Sequence, residues 1–328
     1  MKTDSSITAH TQTHIPVMLP EVIAILDPKP GGIYVDGTFG SGGYARAILD
    51  STACKIIGID RDPSAIAAAR TMYDEYNGRL CLKEGRISDM EAIVNSETTE
   101  QVDGVALDLG VSSTQLNDRA RGFSFILDGP LDMRMGRSEE TAADIVNLRT
   151  EKDLIKILRN YGEERYAKRI ALAICENRRK SPIRTTSQLA EIVRKVLSGK
   201  NSSIDQATRT FQALRIAVND EINQLKCALI AAERLLKSGG RLAVVSFHSL
   251  EDREVKNFLK SRSGLSSRAN RHIPEFATKM PDPSFNLISR GVYKPTSEEV
   301  ATNPRARSAR LRGAQRTCAA AISEEMII

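Results

Sequence analysis

Three acidic residues stand where short apolar runs give way to loops, and their surroundings define the chemistry open to this chain. Asp36 ends the run Ile33-Tyr34-Val35 and opens Gly37-Thr38-Phe39-Gly40-Ser41-Gly42-Gly43-Tyr44. A strand that passes through a glycine-rich turn into a helix lets the backbone approach a ligand closely. Asp60 closes Lys55-Ile56-Ile57-Gly58-Ile59, where it can accept both hydroxyls of a ribose. Asp108 ends Gly104-Val105-Ala106-Leu107 and leads into Leu109-Gly110-Val111-Ser112-Ser113. The first two acids make a nucleoside-binding half-site. Spacing alone does not choose the nucleoside, because Gly40-x-Gly42-x-x-Ala45 with Asp60 also fits the dinucleotide fingerprint.

Two features favour S-adenosylmethionine over NAD. Asp36 precedes the glycines, where it can pair with the cationic amino group of a methionine moiety but would repel a pyrophosphate. The Asp108 loop sits at the tip of the fourth predicted strand, where such enzymes place the transfer site. C5 methylation would need a cysteine nucleophile on a strand-end loop, and none of Cys54, Cys81, Cys175, Cys227 and Cys318 lies in the Asp108 or Ser246 loops. His248 follows the fifth strand and has a pKa class suited to proton handling, but a histidine bonded to the adjoining turn is the more economical reading. No carboxylate and histidine spacing recommends a metal site.

These residues need elements to hold them. Through residue 117, apolar runs alternate with helix-like segments such as Ala65 to Tyr73, the signature of βαβ units and a parallel sheet. From 118 to 213 no strand is predicted. Leu154, Ile155, Leu158 and Tyr161 share a helix face there, as do Ile170 and Ile174, and Leu189, Ile192, Val193 and Val196. A stripe from Phe211 through Leu214, Val218, Ile222, Leu225, Leu229 and Ala232 to Leu236 predicts one long helix closed by Gly239-Gly240. Arg241 to Phe247 is the fifth strand, and Ser249 with Asp252 predicts a capping box for the next helix. Ser261 to Pro283 reads as a loop, with edge strands at Phe285 to Ser289 and Ala309 to Arg312. The expected architecture is an α/β, doubly wound Rossmann-like methyltransferase sheet with an inserted all-helical domain. Its parts are a flexible tail (1–14), a discontinuous methyltransferase domain (15–117 and 214–316), a helical substrate-recognition domain (118–213) and a C-terminal tail (317–328).

Composition bounds the setting. The 328 residues are 41% hydrophobic and 27% charged, typical of a globular chain. No apolar stretch approaches the roughly 18 residues needed to cross a bilayer, and the polar first 14 residues lack a signal core. Five cysteines without a C-x-x-C pair fit a reducing compartment, so the expected location is cytoplasmic. The net charge of +6 hides a basic 118–215 and a basic 256–316 set against an acidic remainder. That distribution suits a polyanionic partner met by two regions. With few aromatics and no tryptophan, reading of a preformed RNA shape is favoured over a stacking platform for single strands.

The sequence resembles the bacterial small-subunit ribosomal RNA cytosine-N4 methyltransferase family (RsmH, formerly MraW). The resemblance rests on Asp36-Gly37-Thr38-Phe39-Gly40, Asp60-Arg61-Asp62-Pro63, Leu107 to Ser113, Arg121-Gly122-Phe123-Ser124-Phe125 and Gly129 to Met135. It continues in Tyr161 to Arg165, Arg209 to Ala213, Ser246 to Arg253 and Asn303 to Ser308, nearly the whole chain in order. It implies methyl transfer from S-adenosylmethionine to the exocyclic N4 amine of a cytidine in the decoding region of 16S ribosomal RNA. The implied partner is the small ribosomal subunit, with no membrane and no DNA. The family's cofactor positions fall on Gly42, Gly43, Tyr44, Asp60, Ile87, Asp108 and Gln115, joined by Asp36 from the reading above. Where Tyr44 and Ile87 stand the family often has His and Phe. Ile87 therefore keeps apolar contact with adenine but loses aromatic stacking. Asp108 is the candidate catalytic acceptor, and Arg134, Arg209, Arg215, Arg305 and Arg307 are the candidate RNA contacts. The competing readings are a non-catalytic RNA-binding assembly factor on this fold and an NAD-dependent oxidoreductase.

Overall fold

The computed structural model describes residues 16–137, 140–199, 205–265 and 281–322. The tail expected at 1–14 lies outside the described residues, as do residues 266–280 of the loop expected after Ser261. Strands Ile33–Asp36 (β1), Lys55–Asp60 (β2), Leu80–Glu84 (β3), Val102–Asp108 (β4), Leu236–Ser246 (β5), Phe285–Leu287 (β6) and Arg310–Arg316 (β7) form one sheet. Its order is β3-β2-β1-β4-β5-β7-β6. β1 through β5 run parallel, whereas β7 is antiparallel to β5 and β6 to β7. The order reverses between β1 and β4, so their C-terminal ends diverge and open the crevice where doubly wound folds bind ligands.

Helices cover both faces, which is why β1 is buried at all four residues rather than alternating. On one face Leu19–Leu26 (α1), Gly43–Ser51 (α2) and, after the short helix Pro63–Ala68 (α3), Arg70–Glu75 (α4) pack near Tyr34, Ile56, Ala106 and Val245. On the other, Met90–Glu97 (α5) and, later in the chain, a helix at Glu221–Leu235 meet Val35, Ile57, Val105, Leu107 and Val244. After β4 come Ser113–Asn117 (α6) and then Ala142–Leu148 (α7), Glu151–Asn160 (α8), Ala167–Arg178 (α9), Thr186–Val196 (α10) and Thr208–Asn219 (α11). This helical segment has its own apolar core, built on Leu131, Ile145, Leu158, Ile170, Leu189 and Phe211. That core runs on through Leu214 and Val218, beyond the 213/214 boundary suggested by the sequence.

The stripe read as one long helix is two. α11 ends at Asn219, and Glu221–Leu235 (α12) begins after Asp220, which takes the left-handed conformation at φ 51°. Asn219, 1% exposed, causes the break. Its amide donates to Met133 O at 2.7 Å and accepts from Met135 N at 2.9 Å, pinning the helix end to the loop before α7. The stripe persists because both halves face apolar cores. The segment at Ala65 to Tyr73 is likewise divided, at Ala69 between α3 and α4.

Three smaller expectations change. α12 stops at Leu235, and Leu236 already pairs with Val102, leaving Gly239 and Gly240 within an irregularity of β5. β7 is not an edge strand, because β6 pairs with its outer side and buries Phe285 completely. The helix Ser249–Arg262 (α13) is capped by His248 and Glu251, one residue earlier than predicted. The last helix, Ser297–Thr302 (α14), and the turn Pro304–Ser308 bring the chain back over the sheet's C-terminal edge. No described helix is long and apolar enough to cross a membrane.

Candidate active site

A cavity of about 580 Å³ opens at the C-terminal ends of β1, β2 and β4. Backbone hydrogen bonds string the glycine-rich turn across those ends: Gly37 N–H donates to Ala106 O (3.0 Å) and Phe39 N–H to Ile59 O (2.9 Å). Gly42 sits at φ 77°, where L side chains are strained, and a Cβ there would strike Phe39 and Met72. A Cβ on Gly43 would lie 2.2 Å from Pro16, so the chain before α1 packs directly on the start of α2. Tyr44, 4% exposed, lines the cavity and donates its hydroxyl to Val17 O at 2.5 Å.

The three carboxylates of the sequence reading converge on this cavity with Tyr44, Ile87, Gln115 and Gly43. Asp36 is 1% exposed and accepts a hydrogen bond from Thr38 N–H at 3.3 Å. Burial pushes its carboxyl up to about 7, and the nearby Asp60 charge adds to the effect. Asp60 accepts from Gly40 N–H at 2.7 Å and from Asp62 N–H at 2.8 Å, yet burial still raises its carboxyl above the usual range. Asp108 donates its own N–H to Thr38 Oγ1 at 2.6 Å, which ties β4 to the glycine turn. Its Oδ1 is buried with no hydrogen-bond partner. Burial, then Asp36, then Glu251 drive its carboxyl well above the ordinary value.

None of these three acids is in an ion pair among the described residues. Carboxylates drawn this far from water with no counter-ion are costly to charge, so the cluster is built for a cationic ligand. S-adenosylmethionine, with an ammonium and a sulfonium, meets that demand, and the pyrophosphate of NAD would aggravate it.

Gln115 has a more committed role than the resemblance implied. It closes a capping box with Ser112 at the start of α6, and its Nε2 donates to Asp62 Oδ2 at 2.8 Å. Asp62 also accepts from Arg121 at 2.8 Å, so Gln115 borders the cavity while bracing the turn after β2. Gly42 faces Phe39 and Met72 behind the same turn. Ile87 stands on the short turn after β3 and packs on the core beneath it.

The cavity also gathers residues that spacing did not identify. Glu221 and Glu251 line it, and with His248 they place their ligand atoms within 4.8 Å of one another. Arg215 already supplies a cation there, forked on Glu221 at 2.9 and 2.8 Å. Burial opposes the charge on Glu251, but His248 and Arg215 hold its carboxyl below the usual range. The side chain of His248 bonds the adjoining turn, accepting from Glu251 N–H through Nδ1 at 3.4 Å. Glu221 lies 30 positions from Glu251 on another helix, so only the fold brings them together. Glu251 and Phe247, by contrast, sit inside the quoted Ser246 to Arg253 motif.

The five arginines expected to meet RNA are not equivalent. Arg305 lines the cavity mouth, donating to Ser113 Oγ and to Asn117 Oδ1 at 3.0 Å. Arg307 and Arg209 are exposed, and Arg209 donates to Glu163 O at 3.4 Å. Arg134 forks on Asp132 at 2.9 and 2.7 Å. Arg215 is turned inward, its side chain 17% exposed. Arg310 and Arg312, part of the same dense basic run, both bind Asp252, at 2.8 and 2.7 Å.

Comparison with known proteins agrees over nearly the full length. A model described as the MraW methylase family matches residues 11–317. A ribosomal RNA small subunit methyltransferase H from Paramagnetospirillum magneticum is 54% identical over 94% of this chain and 98% of that protein. Proteins of the same name from Rhodospirillum rubrum (51% identical over 93% of this chain and 94% of that protein) and Nitrobacter winogradskyi (53%, 97% and 95%) match as well.

Proposed function

The chain belongs to the MraW methylase family, and from that premise we propose that it methylates the N4 amine of a cytidine in the decoding region of 16S ribosomal RNA. It is a ribosomal RNA methyltransferase, and its cofactor is S-adenosylmethionine. The observation that carries this reading is the convergence of Asp36, Asp60 and Asp108, none of them in an ion pair among the described residues, on one cavity beside a helical unit. The choice of N4 rests on the resemblance in sequence and on the absence of a cysteine at the β4 and β5 exits.

When bound, S-adenosylmethionine supplies an electrophilic methyl group. Asp36 would hold its amino group, Asp60 its ribose hydroxyls and Ile87 the face of its adenine, with Tyr44 and Gly43 shaping the wall. Positioning provides most of the rate in such an in-line displacement. Asp108 adds proton handling. A cytosine N4 lone pair is delocalised into the ring, and the unpartnered Oδ1 of Asp108 accepts an N–H hydrogen bond that draws it out. A cationic cofactor beside it would favour its carboxylate form against the burial and the Asp36 and Glu251 charges that raise it, and in that form it accepts the proton lost after transfer.

The helical segment expected at 118–213 is the RNA-facing unit in this reading. Arg134, Arg209, Arg305 and Arg307 meet phosphates, and the small ribosomal subunit or its 16S RNA is the partner.

The deciding experiment incubates the protein with labelled S-adenosylmethionine and small subunits from cells lacking the modification, then identifies the nucleoside by mass spectrometry. N4-methylcytidine at one position is expected. Label on any other nucleoside would sink the choice of atom. Measurable cofactor binding without transfer would favour a non-catalytic assembly factor.

A further inference from the structure

Beside Asp108 the cavity lining includes Leu109, Gly110 and Val111 from the β4 exit, Phe247 from the β5 exit, and Asn303 and Pro304 before the last turn. We propose that Phe247 is the platform on which the target base lies, and that buried Glu251, with Arg215 beside it, holds the ring in position. The proposal rests on the reading of a nucleobase amine as the substrate.

A base presented singly to a pocket offers two flat faces, and proteins hold such bases by stacking them on aromatic or apolar side chains. Three aromatic rings line this cavity among the described residues: Phe39, Tyr44 and Phe247. Two are committed elsewhere. Phe39 is wedged against the turn, its atoms 2.6 and 2.5 Å from where a Cβ on Gly42 or Gly58 would lie. Tyr44 is anchored through its hydroxyl to Val17. Phe247 is half-buried, packed on the core from below with the remainder of the ring in the cavity.

The neighbouring backbone is shaped to leave room beside that ring. Gly110 stands at φ 99°, and a Cβ there would sit 3.6 Å from Phe247 Cδ2, inside the slot. The same turn carries Asp108, so a base stacked on Phe247 presents its edge toward the unpartnered Oδ1.

Glu251 determines where the ring stands. Its Oε2 accepts from Phe247 N–H at 2.8 Å and from His248 N–H at 3.3 Å. Two successive amides on one carboxylate oxygen hold the β5 exit rigidly. Glu251 is 2% exposed, and its Oε1 has His248 Nε2 at 3.1 Å and Arg215 Nη2 at 4.0 Å. Arg215 comes from α11, so the ring's position is tied to the helical unit rather than to the sheet alone. On this account Arg215 and Glu251 are positioning residues, and only Phe247 touches the base.

The test uses the full chain with unmethylated small ribosomal subunits and a separate calorimetric titration of S-adenosylmethionine. Phe247→Ala should lower kcat/KM for the subunit roughly five- to a hundredfold, the range expected for loss of one base–aromatic stack. Its cofactor Kd should stay within about twofold of wild type. Phe247→Tyr should restore most of the activity, and Phe247→Leu, which keeps bulk without a ring, should not. Glu251→Ala should lose comparable activity, and the Phe247→Ala/Glu251→Ala double variant should be no worse than Phe247→Ala alone. A Leu variant as active as the Tyr variant would overturn the platform, and additive losses in the double variant would overturn the positioning role. Wild-type protein that binds cofactor yet transfers no methyl group would overturn the substrate reading, and the platform with it.

Discussion

Asp60 is the residue whose environment makes the sharpest test of the nucleoside site. Both of its oxygens already accept backbone amides, so its orientation is set before any ligand arrives. Asp60→Ala should weaken S-adenosylmethionine binding by about 1–3 kcal/mol through lost charged hydrogen bonds. Calorimetry showing unchanged affinity would remove the ribose assignment. Asp36 supplies a test in pH. Its carboxyl is pushed up to about 7, so binding a cation there requires loss of a proton below that value. Affinity should therefore rise about tenfold per pH unit up to pH 7 and level off above it. The sign for folding is the reverse. Without ligand the folded protein keeps a proton that the unfolded chain gives up, so the contribution of Asp36 to stability falls as pH rises from about 4 to about 7. Asp36→Asn should flatten both dependences, and a profile unchanged in that variant would place the titrating group elsewhere.

At the scale of elements, buried polar side chains decide where helices stop and how the sheet edge is closed. Asn219 breaks the long apolar stripe by bonding two backbone groups of the loop before α7. Glu233, 1% exposed on α12, accepts from Arg262 Nε at 3.2 Å, Ser284 Oγ at 2.5 Å and Ile322 N–H at 3.1 Å. One carboxylate thereby joins α12, the end of α13, the start of β6 and the segment after β7. Removing one partner of such a buried network typically costs 3–5 kcal/mol. Glu233→Ala should destabilise the protein by about that amount in urea unfolding, with cofactor binding intact in the folded fraction. A loss below about 1 kcal/mol would show that water replaces the network.

At the scale of the whole molecule, the basic surface is smaller than the arginine count suggests. Arg310 and Arg312 are held by Asp252, and together they keep its carboxyl below the usual range against the effect of burial. Arg215 faces inward. Of the arginines expected to meet RNA, Arg209, Arg305 and Arg307 are exposed, and Arg305 lines the cavity. Removing any one of these three should flatten the salt dependence of subunit binding by about one unit in the log–log slope. Arg310→Ala and Arg312→Ala should leave that slope unchanged and lower stability instead. An equal change of slope for both groups would refute the division.

The sequence by itself determined the sheet, the cavity acids and the family. Apolar runs ending in Asp36, Asp60 and Asp108 are local signals, since a strand's last residue and the loop after it are neighbours in the chain. The glycine turn is local for the same reason. What the sequence left open depends on contacts between distant segments. The break at Asp220 was invisible because an apolar stripe at helical spacing continues across it, and only Asn219 meeting Met133 and Met135 ends the helix. The interior place of β7 depended on β6 pairing with it. The separation of arginines into surface cations and structural ones depended on which carboxylate each side chain reached. Spacing along the chain records which residues can share a face, whereas burial and pairing are properties of the space between faces, and tertiary structure alone decides them.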